Sequence, residues 1–193
     1  MGRSNVSAIK QPDDVTCGPS ALKLALAALG KRRSIGLLTD LCKTNSNGTS
    51  TKNLVRAVNK LGLSVLLVER ATLHHLQSAL RYSPSQPRAV VVDYLYDSDI
   101  NGKPDTYSGH WAVVRSFQAS KSRIVLLDSC TGKTKSYAWS DFRTRWADFD
   151  VKRRRVGKKF KMFRDWQHQL MIVISENHHH LPRFKSAKVC LPN

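Results

Sequence analysis

The sequence has few acidic residues and no long apolar run. Its 193 residues include 32 Lys and Arg but only 14 Asp and Glu, so the formal net charge is +18. No run approaches the roughly 18 apolar residues that a membrane-spanning helix needs. The first residues lack the apolar stretch of a signal peptide. We therefore expect a protein that is not secreted by that route and that resides in the cytoplasm or in a nucleoprotein or virion particle.

Cysteine is also scarce, and its spacing excludes the common cysteine-based metal sites. The four cysteines form no C-x-x-C pair, which excludes a zinc knuckle and a redox dithiol. Without secretion, free thiols are expected. The run from His178 to His180 is a poor metal site, because adjacent side chains in an extended chain point in opposite directions. We predict no cofactor and no metal.

The apolar residues that are present show first a helical and then a strand period. Residues 18–29 are rich in Ala and Leu, with Pro19 near the start and Gly30 just past the end, which predicts a buried helix. Further helices are predicted at 34–42, at 52–61 with Thr51 as the cap, at 72–81, and from Ser140 to Trp146. Strands are predicted at 63–68, 88–94, 110–116, 123–127, 133–139 and 170–175. Helices first and antiparallel strands afterwards indicate an α+β fold.

We expect one domain over residues 1–176, with a core at 11–146, a basic segment at 151–164 and a C-terminal extension at 177–193. Residues 151–193 hold 11 Lys and Arg against 2 acidic residues. Such a cluster is either a solvated face or a contact for nucleic acid or another acidic partner. Because no helix-turn-helix, zinc-finger or RNA-recognition signature is present, any nucleic-acid binding would be independent of base sequence. The candidate polyanion contacts are Lys152, Arg153, Arg154, Arg155, Lys158, Lys159, Lys161 and Arg164.

Residues around Cys17 have the composition of a nucleophilic site. Cys17 stands where the first helix is predicted to begin, and a helix N-terminus favours a thiolate. Gln11 lies six residues upstream, so its side-chain amide and the Cys17 N–H can converge on one oxyanion. The alternative is that Cys17 is a small buried core residue and Gln11 is solvated.

A base and its orienting partner are predicted further along the chain. His110 begins a strand after the long polar loop at 95–108, and Asp128 ends the next strand. Antiparallel neighbours joined by a turn bring these two ends together. A thiol nucleophile needs such a base and orienter. The alternative is a structural histidine and a turn-forming aspartate.

These motifs resemble papain-like cysteine peptidases, and most closely the bacteriocin-processing, double-glycine leader peptidase family. The resemblance rests on Gln11 with Cys17-Gly18-Pro19, on Gly109-His110-Trp111-Ala112-Val113-Val114 and on Leu126-Leu127-Asp128. It implies a papain-like fold, with N-terminal helices packed on an antiparallel sheet. It implies Gln11 as oxyanion-hole donor, Cys17 as nucleophile, His110 as general base and acid, and Asp128 as orienter. It also implies a preference for small residues such as Gly next to the cut.

The sequence departs from this family at three points. Family members usually carry Asp-Pro at the third site, whereas this chain has Asp128-Ser129. The best-known members are the N-terminal part of a transporter, so a free-standing version is expected here. The basic segment at 151–164 is not part of the family pattern.

The leading hypothesis is a cysteine peptidase that acts on a peptide or protein. One alternative is a basic structural or virion protein that binds nucleic acid and uses an inactive peptidase-like fold. Another is a deamidase or acyltransferase with the same triad.

Overall fold

The computed structural model describes residues 6–81, 83, 85–157 and 159–192. Within these ranges the predicted helices form close to the expected positions. They are α1 (Cys17–Ala28), α2 (Ile35–Cys42), α3 (Thr51–Lys60), α4 (Leu73–Leu80) and α5 (Trp139–Arg145). No helix in the described residues is long and apolar enough to cross a membrane.

Two helix caps differ from the sequence prediction. Ser50, not Thr51, caps α3, because its hydroxyl accepts the N–H of Asn53. Thr51 is the first residue of that helix, and its hydroxyl bonds to Gln167 instead. Ser140 does not cap α5, which begins one residue earlier and has no side-chain cap.

The strands build one large antiparallel sheet and a separate hairpin. The strands are β1 (Ser64–Val68), β2 (Ala89–Leu95), β3 (Gly109–Gln118), β4 (Arg123–Asp128), β5 (Lys133–Ala138), β6 (Ala147–Val156), β7 (Lys159–His168), β8 (Met171–Ser175) and β9 (Lys188–Cys190). The sheet has the order β5-β4-β3-β2-β8-β1-β9, whereas β6 and β7 pair with each other.

Both faces of the large sheet are covered by helices. Helices α1, α2 and α3 pack on one face against residues such as Val91 and Ile172. Helices α4 and α5 pack on the other face, where Tyr94 and Phe142 lie. Strands buried on both faces read as continuous apolar runs, which is why every residue of β2 is buried. The prediction of an α+β fold with helices on an antiparallel sheet is confirmed, although the helices occupy both faces.

Two parts of the chain contain structure that the sequence did not indicate. Residues 147–156 and 159–168 pair as the β6–β7 hairpin, where composition had indicated only a basic segment at 151–164. The segment after Glu176, expected to be an extension, contributes β9, which pairs with β1 at the edge of the sheet.

Candidate active site

Cys17 is the first residue of α1, and this helix start is tied to the sheet. Neither Cys17 nor Gly18 can bond its N–H within the helix, and Pro19 has none. Gly18 allows close approach of Thr49, since a Cβ there would lie 2.6 Å from the Cβ of Thr49. The Thr49 carbonyl in turn accepts the indole N–H of Trp111 at 3.0 Å. This chain of contacts fixes the start of α1 against the first residues of β3.

The thiol of Cys17 is buried, and its pKa is raised, whereas its place at the start of a helix had predicted a favoured thiolate. Burial raises its pKa to about 12, and the nearby charges of Asp93 and Asp148 act in the same direction. The N–H groups of Trp111 and Gly18 donate to the sulfur and partly oppose this effect. The resting thiol is therefore protonated at neutral pH, so a neighbouring base must take its proton before it can attack.

His110 and Asp128 form a buried hydrogen-bonded pair. Nε2 of His110 lies 3.1 Å from Oδ1 of Asp128, and the side chains are 7% and 0% exposed. The antiparallel register of β3 with β4 produces this contact. A carboxylate partner requires a proton on Nε2, which leaves Nδ1 of the neutral imidazole as its acceptor.

Asp128 accepts several further hydrogen bonds that hold it in its ionised form. Oδ2 accepts the Tyr96 hydroxyl at 3.1 Å and the Thr131 hydroxyl at 2.7 Å, and Oδ1 accepts the N–H of Cys130 at 3.0 Å. Burial would raise the pKa of Asp128, but the bonds from His110, Thr131 and Cys130 outweigh it and hold this pKa well below its usual range. Sequence reasoning missed Tyr96 and Thr131. The Asp-x-x-Thr spacing, typical of a side-chain-bonded turn, was the available signal for Thr131.

Gln11 is attached to the residue that follows Asp128. Its N–H donates to the Ser129 carbonyl at 2.8 Å, and its Oε1 accepts the Ser129 hydroxyl at 2.8 Å. Its Nε2 donates to the Asp13 carbonyl at 2.7 Å. An amide nitrogen carries two N–H groups, so one remains for a further acceptor.

Three of the four predicted residues, His110, Asp128 and Gln11, come together at the end of β4, whereas Cys17 lies in the layer of α1. His110 and Asp128 are in direct contact, and Gln11 reaches their neighbour Ser129. Cys17 approaches from the layer of α1, whereas His110 lies beside Tyr94 on the other face of the sheet. The Trp111 N–H on the sulfur links the two sides. Asp148 adds a second link, because its carboxylate is within electrostatic range of both Cys17 and His110.

An acidic cavity of about 260 Å³ opens beside Cys17. Its carboxyl groups come from Asp93 on β2 and from Asp148 and Asp150 on β6. Asp148 lies directly over Gly109, where a Cβ would collide with its carboxylate. Asp150 accepts the N–H of Thr51 at 3.1 Å. Sequence reasoning missed all three carboxylates. Asp148 and Asp150 were missed because the β6–β7 hairpin was not predicted, and Asp93 because it was included only as part of a buried strand.

The predicted polyanion contacts lie along the β6–β7 hairpin, apart from Lys158, which is outside the described residues. Residues opposite one another in the register share a face. One face, called the arginine–aromatic face below, carries no acidic residue and consists of Phe149, Val151, Arg153, Arg155, Phe160, Met162, Arg164 and Trp166. On the other face, Lys152 and Arg154 form ion pairs with Asp165.

Two sequence comparisons relate this chain to known proteins. The model of the Peptidase C39 family matches residues 5–151, which include Gln11, Cys17, His110 and Asp128. A 69-residue stretch is 33% identical to the Mesentericin-Y105 transport/processing ATP-binding protein MesD of Leuconostoc mesenteroides. That stretch covers 36% of this chain and 10% of the relative, so the match spans about a tenth of that protein's length.

Solved peptidase domains share the fold at low sequence identity. The peptidase domain of Streptococcus ComA, a bifunctional ABC transporter involved in a quorum-sensing pathway, superposes with a TM-score of 0.64 at 19% identity, over 90% of this chain and 100% of that domain. A double-glycine motif protease from an AMS/PCAT transporter, in complex with the leader peptide, gives a TM-score of 0.58 at 13% identity, over 90% and 94% of the two chains. The predicted papain-like fold is confirmed.

The family model covers most of the chain and ends at residue 151, so most of the basic segment lies beyond it. The protein belongs to the peptidase C39 family and is a cysteine peptidase.

Proposed function

We propose that this peptidase hydrolyses a peptide bond through a Cys17–His110–Asp128 triad, with Gln11 and the Cys17 N–H as the oxyanion hole. The observation that carries the proposal is the 3.1 Å contact between Nε2 of His110 and Asp128, both buried, at the strand beside the helix that begins with Cys17. The order of the four residues along the chain and their local contexts also support it.

The chemistry follows from the occupied nitrogen of His110. With Nε2–H held by Asp128, Nδ1 takes the proton of the thiol as sulfur bonds to the carbonyl carbon, and the carbonyl π electrons move onto oxygen. The oxyanion then reforms the carbonyl, the C–N bond breaks, and the imidazolium passes its proton to the leaving amine. Water attacks the thioester by the same sequence, with His110 again as base, and releases the acid and the free thiol.

The buried environment favours coupled proton transfer over a preformed ion pair. Since the pKa of Cys17 is raised, a stable thiolate is not expected before substrate binds. Asp128 remains ionised and stabilises the imidazolium when it forms, because its own pKa is held low. The N-terminus of α1 and the Trp111 N–H supply partial positive charge beside the sulfur.

The proposed substrate is a peptide or protein segment. A structurally similar protein, a double-glycine motif protease, is known in complex with the leader peptide. This similarity supports a preference for small residues next to the cut. The test is cleavage of a peptide library, with masses of the products read by mass spectrometry. Two fragments from one peptide, absent with Cys17→Ala, are expected. A side-chain amide converted to an acid, or an acyl group transferred to a second amine, would instead identify a deamidase or an acyltransferase.

Reactivity of the thiol gives an independent test. A peptide aldehyde should protect Cys17 from iodoacetamide at concentrations that leave Cys42, Cys130 and Cys190 unprotected. Cys42 is a matched control, because it is also buried and burial raises its pKa to about 12 as well. Equal labelling of the two buried thiols, with and without the aldehyde, would contradict a catalytic role for Cys17.

A second proposed activity concerns the arginine–aromatic face of the hairpin. Phe160 and Met162 are 58% and 61% exposed, and the guanidinium of Arg153 lies 3.9 Å from the centre of the Phe160 ring. Guanidinium groups attract a phosphate backbone, and exposed rings stack with unpaired bases. We propose that this face binds single-stranded nucleic acid without sequence specificity.

Anisotropy of labelled oligonucleotides tests this second activity. Binding should weaken steeply with salt, and Arg153→Gln with Phe160→Ala should weaken it, whereas Arg143→Gln, an exposed arginine outside the hairpin, should not. Binding without a salt dependence, or equal loss in the control, would contradict it. Oligonucleotide binding by a protein with no turnover would favour the structural alternative over the peptidase.

A further inference from the structure

The cavity beside Cys17 is acidic in a strongly basic protein. Three carboxyl groups line it, and no Lys, Arg or His is among its described lining residues. The remaining polar lining consists mainly of Asn, Ser and Thr side chains, which offer further acceptors. This concentration of acceptors next to the proposed nucleophile is suited to a group that carries a positive charge and several donors.

Asp93 gives this cavity a specific chemical demand. It interrupts the valine run of β2, is 5% exposed, and faces Trp111 across the strand pair. Its Oδ1 is fully buried and accepts no N–H or hydroxyl donor among the described residues, and the carboxyl group of Asp148 is its neighbour in the cavity. A buried carboxyl oxygen without a donor is costly. Asp93 lines the cavity, so a donor that enters there can satisfy this oxygen.

Asp148 is a second buried carboxyl group that lines the same cavity. It lies over Gly109 and within hydrogen-bonding reach of Asp93. Burial raises the pKa of both groups, and the charge of Asp148 raises that of Asp93 further. Two carboxyl groups this close hold either a shared proton or a cation between them. In the described residues no group of three or more His, Cys, Asp or Glu is arranged to hold a metal ion, so an organic cation fits better.

We propose that the cavity is a substrate subsite that binds a Lys or Arg side chain of the peptide near the cut, at a position not occupied by the small residues proposed to lie next to it. The inference rests on the proposed peptidase function and specifies its substrate class. The volume of about 260 Å³ accommodates one such side chain. Bound there, an ammonium or guanidinium group donates to Asp93 and Asp148 and neutralises their charge.

This arrangement also couples binding to reactivity. The charges of Asp93 and Asp148 are among the influences that raise the pKa of Cys17. A cation between them cancels that influence, so the thiol gives up its proton to His110 more readily once a basic substrate is bound. The subsite therefore increases kcat as well as lowering KM.

The test uses matched peptides in which Lys or uncharged norleucine is placed in turn at each position flanking the cut. At one position Lys should raise kcat/KM by about tenfold or more, as expected for charged hydrogen bonds at a buried site. Asp148→Asn and Asp93→Asn should bring the Lys-to-norleucine ratio close to one. Asp165→Asn is the matched control, because Asp165 lies on the same hairpin and does not line the cavity. Asp148→Asn gives the test a second variant that does not depend on any change in stability produced by Asp93→Asn.

A second measurement separates failure of the subsite from failure of the peptidase function. Calorimetry of Cys17→Ala with the same peptides detects binding without cleavage. Cleavage with a ratio of one at every position overturns the subsite and leaves the peptidase intact. Tighter binding of the Lys peptides that Asp148→Asn removes, with no cleavage by the natural protein, supports the subsite and contradicts the proposed hydrolysis. The free N-terminal amine of the peptide could also supply the cation. If acetylation of that amine removes the preference while replacement of Lys by norleucine does not, the assignment to a side chain is overturned.

Discussion

The hydroxyl of Ser129 donates a 2.8 Å hydrogen bond to Oε1 of Gln11, so the residue after Asp128 fixes the amide that we assign to the oxyanion hole. Members of this family usually have proline at that position, which offers no side-chain donor. The bond determines which end of the amide points away from Ser129, because only the oxygen can accept it. Ser129 is thus a positioning residue for Gln11.

Ser129→Ala tests this positioning. We expect kcat to fall several-fold to about tenfold with little change in KM, because the amide loses one of the bonds that fix its orientation. Gln11→Ala should cost more, on the order of 10²–10³ in kcat, as for other oxyanion donors. In the Gln11→Ala protein the Ser129 change should have no further effect on kcat. Additive losses in the double variant would show that Ser129 acts through some other residue.

Asp128→Asn should inactivate the enzyme by reversing the tautomer of His110. Oδ2 accepts three hydrogen bonds, from the Tyr96 hydroxyl and from the N–H and hydroxyl of Thr131, whereas Oδ1 accepts two. The single oxygen of Asn is therefore expected on the Oδ2 side, with its NH2 group facing His110. That group donates to Nε2, which forces the ring proton onto Nδ1 and removes the acceptor for the thiol proton.

The expected loss in kcat for Asp128→Asn is on the order of 10²–10⁴, measured with a cleaved peptide. Circular dichroism and a urea midpoint check that the protein remains folded. Tyr96→Phe is the matched control, because it removes one donor to Asp128 without changing the group that faces His110. A loss as large for Tyr96→Phe as for Asp128→Asn would contradict the tautomer argument.

The sequence was sufficient to predict the His110–Asp128 contact, and the reason is local. Both residues lie near the ends of apolar strands separated by a short turn, so antiparallel pairing brings them together. The position of Cys17 at the start of α1 was predictable for a similar reason, because Pro19 and the Ala-rich run define where that helix begins. In each case the position depends on a regular element with a clear period.

The contacts that sequence reasoning did not find depend on tertiary packing. Gln11 meets Ser129 across 118 positions, from a segment with no regular secondary structure. Asp148 reaches Gly109 only because β6 and β7 pair as a hairpin. The exposed faces of that hairpin mix Arg, Lys and aromatic residues, so they lack the apolar alternation that identifies a half-buried strand. Asp93 was included in a predicted buried strand, but its neighbours come from separate elements.

Asp93→Asn should stabilise the protein at neutral pH and have little effect in acid. The pKa of Asp93 is raised in the folded state, so between its unfolded value near 4 and that raised value the folded protein binds more protons than the unfolded chain. The free energy of unfolding therefore falls as pH rises through this window. Asn carries no charge and avoids this penalty.

Urea unfolding of both proteins at pH 4 and at pH 8 measures the effect. A gain of about 1–2 kcal/mol is expected for Asp93→Asn at pH 8, with a smaller difference at pH 4. Asp165→Asn is the control of opposite sign. The bond from Lys152 lowers the pKa of Asp165, so its charged form contributes stability at pH 8 that the Asn variant loses. Equal stability of Asp93→Asn and the natural protein at both pH values would contradict the burial of an unsatisfied carboxyl at this site.

Gly109→Ala should expel Asp148 from its position and destabilise the docked hairpin. The added methyl group would collide with the carboxyl group of Asp148, which lies against the Cα of Gly109. Overpacking of this kind typically costs about 1–3 kcal/mol in the free energy of unfolding. Asp148→Ala removes the colliding atoms, so Gly109→Ala should cost much less in the Asp148→Ala protein than in the natural one.

A double-mutant cycle by urea unfolding measures this coupling. Gly36→Ala is the matched control, because a Cβ there meets no atom within 4 Å and no rescue by Asp148→Ala is expected. If Gly109→Ala were equally costly with and without the Asp148 carboxylate, the glycine would be required by the local strand backbone. Coupling specific to Asp148 would instead show that the glycine before the proposed base provides space for the acidic wall of the cavity.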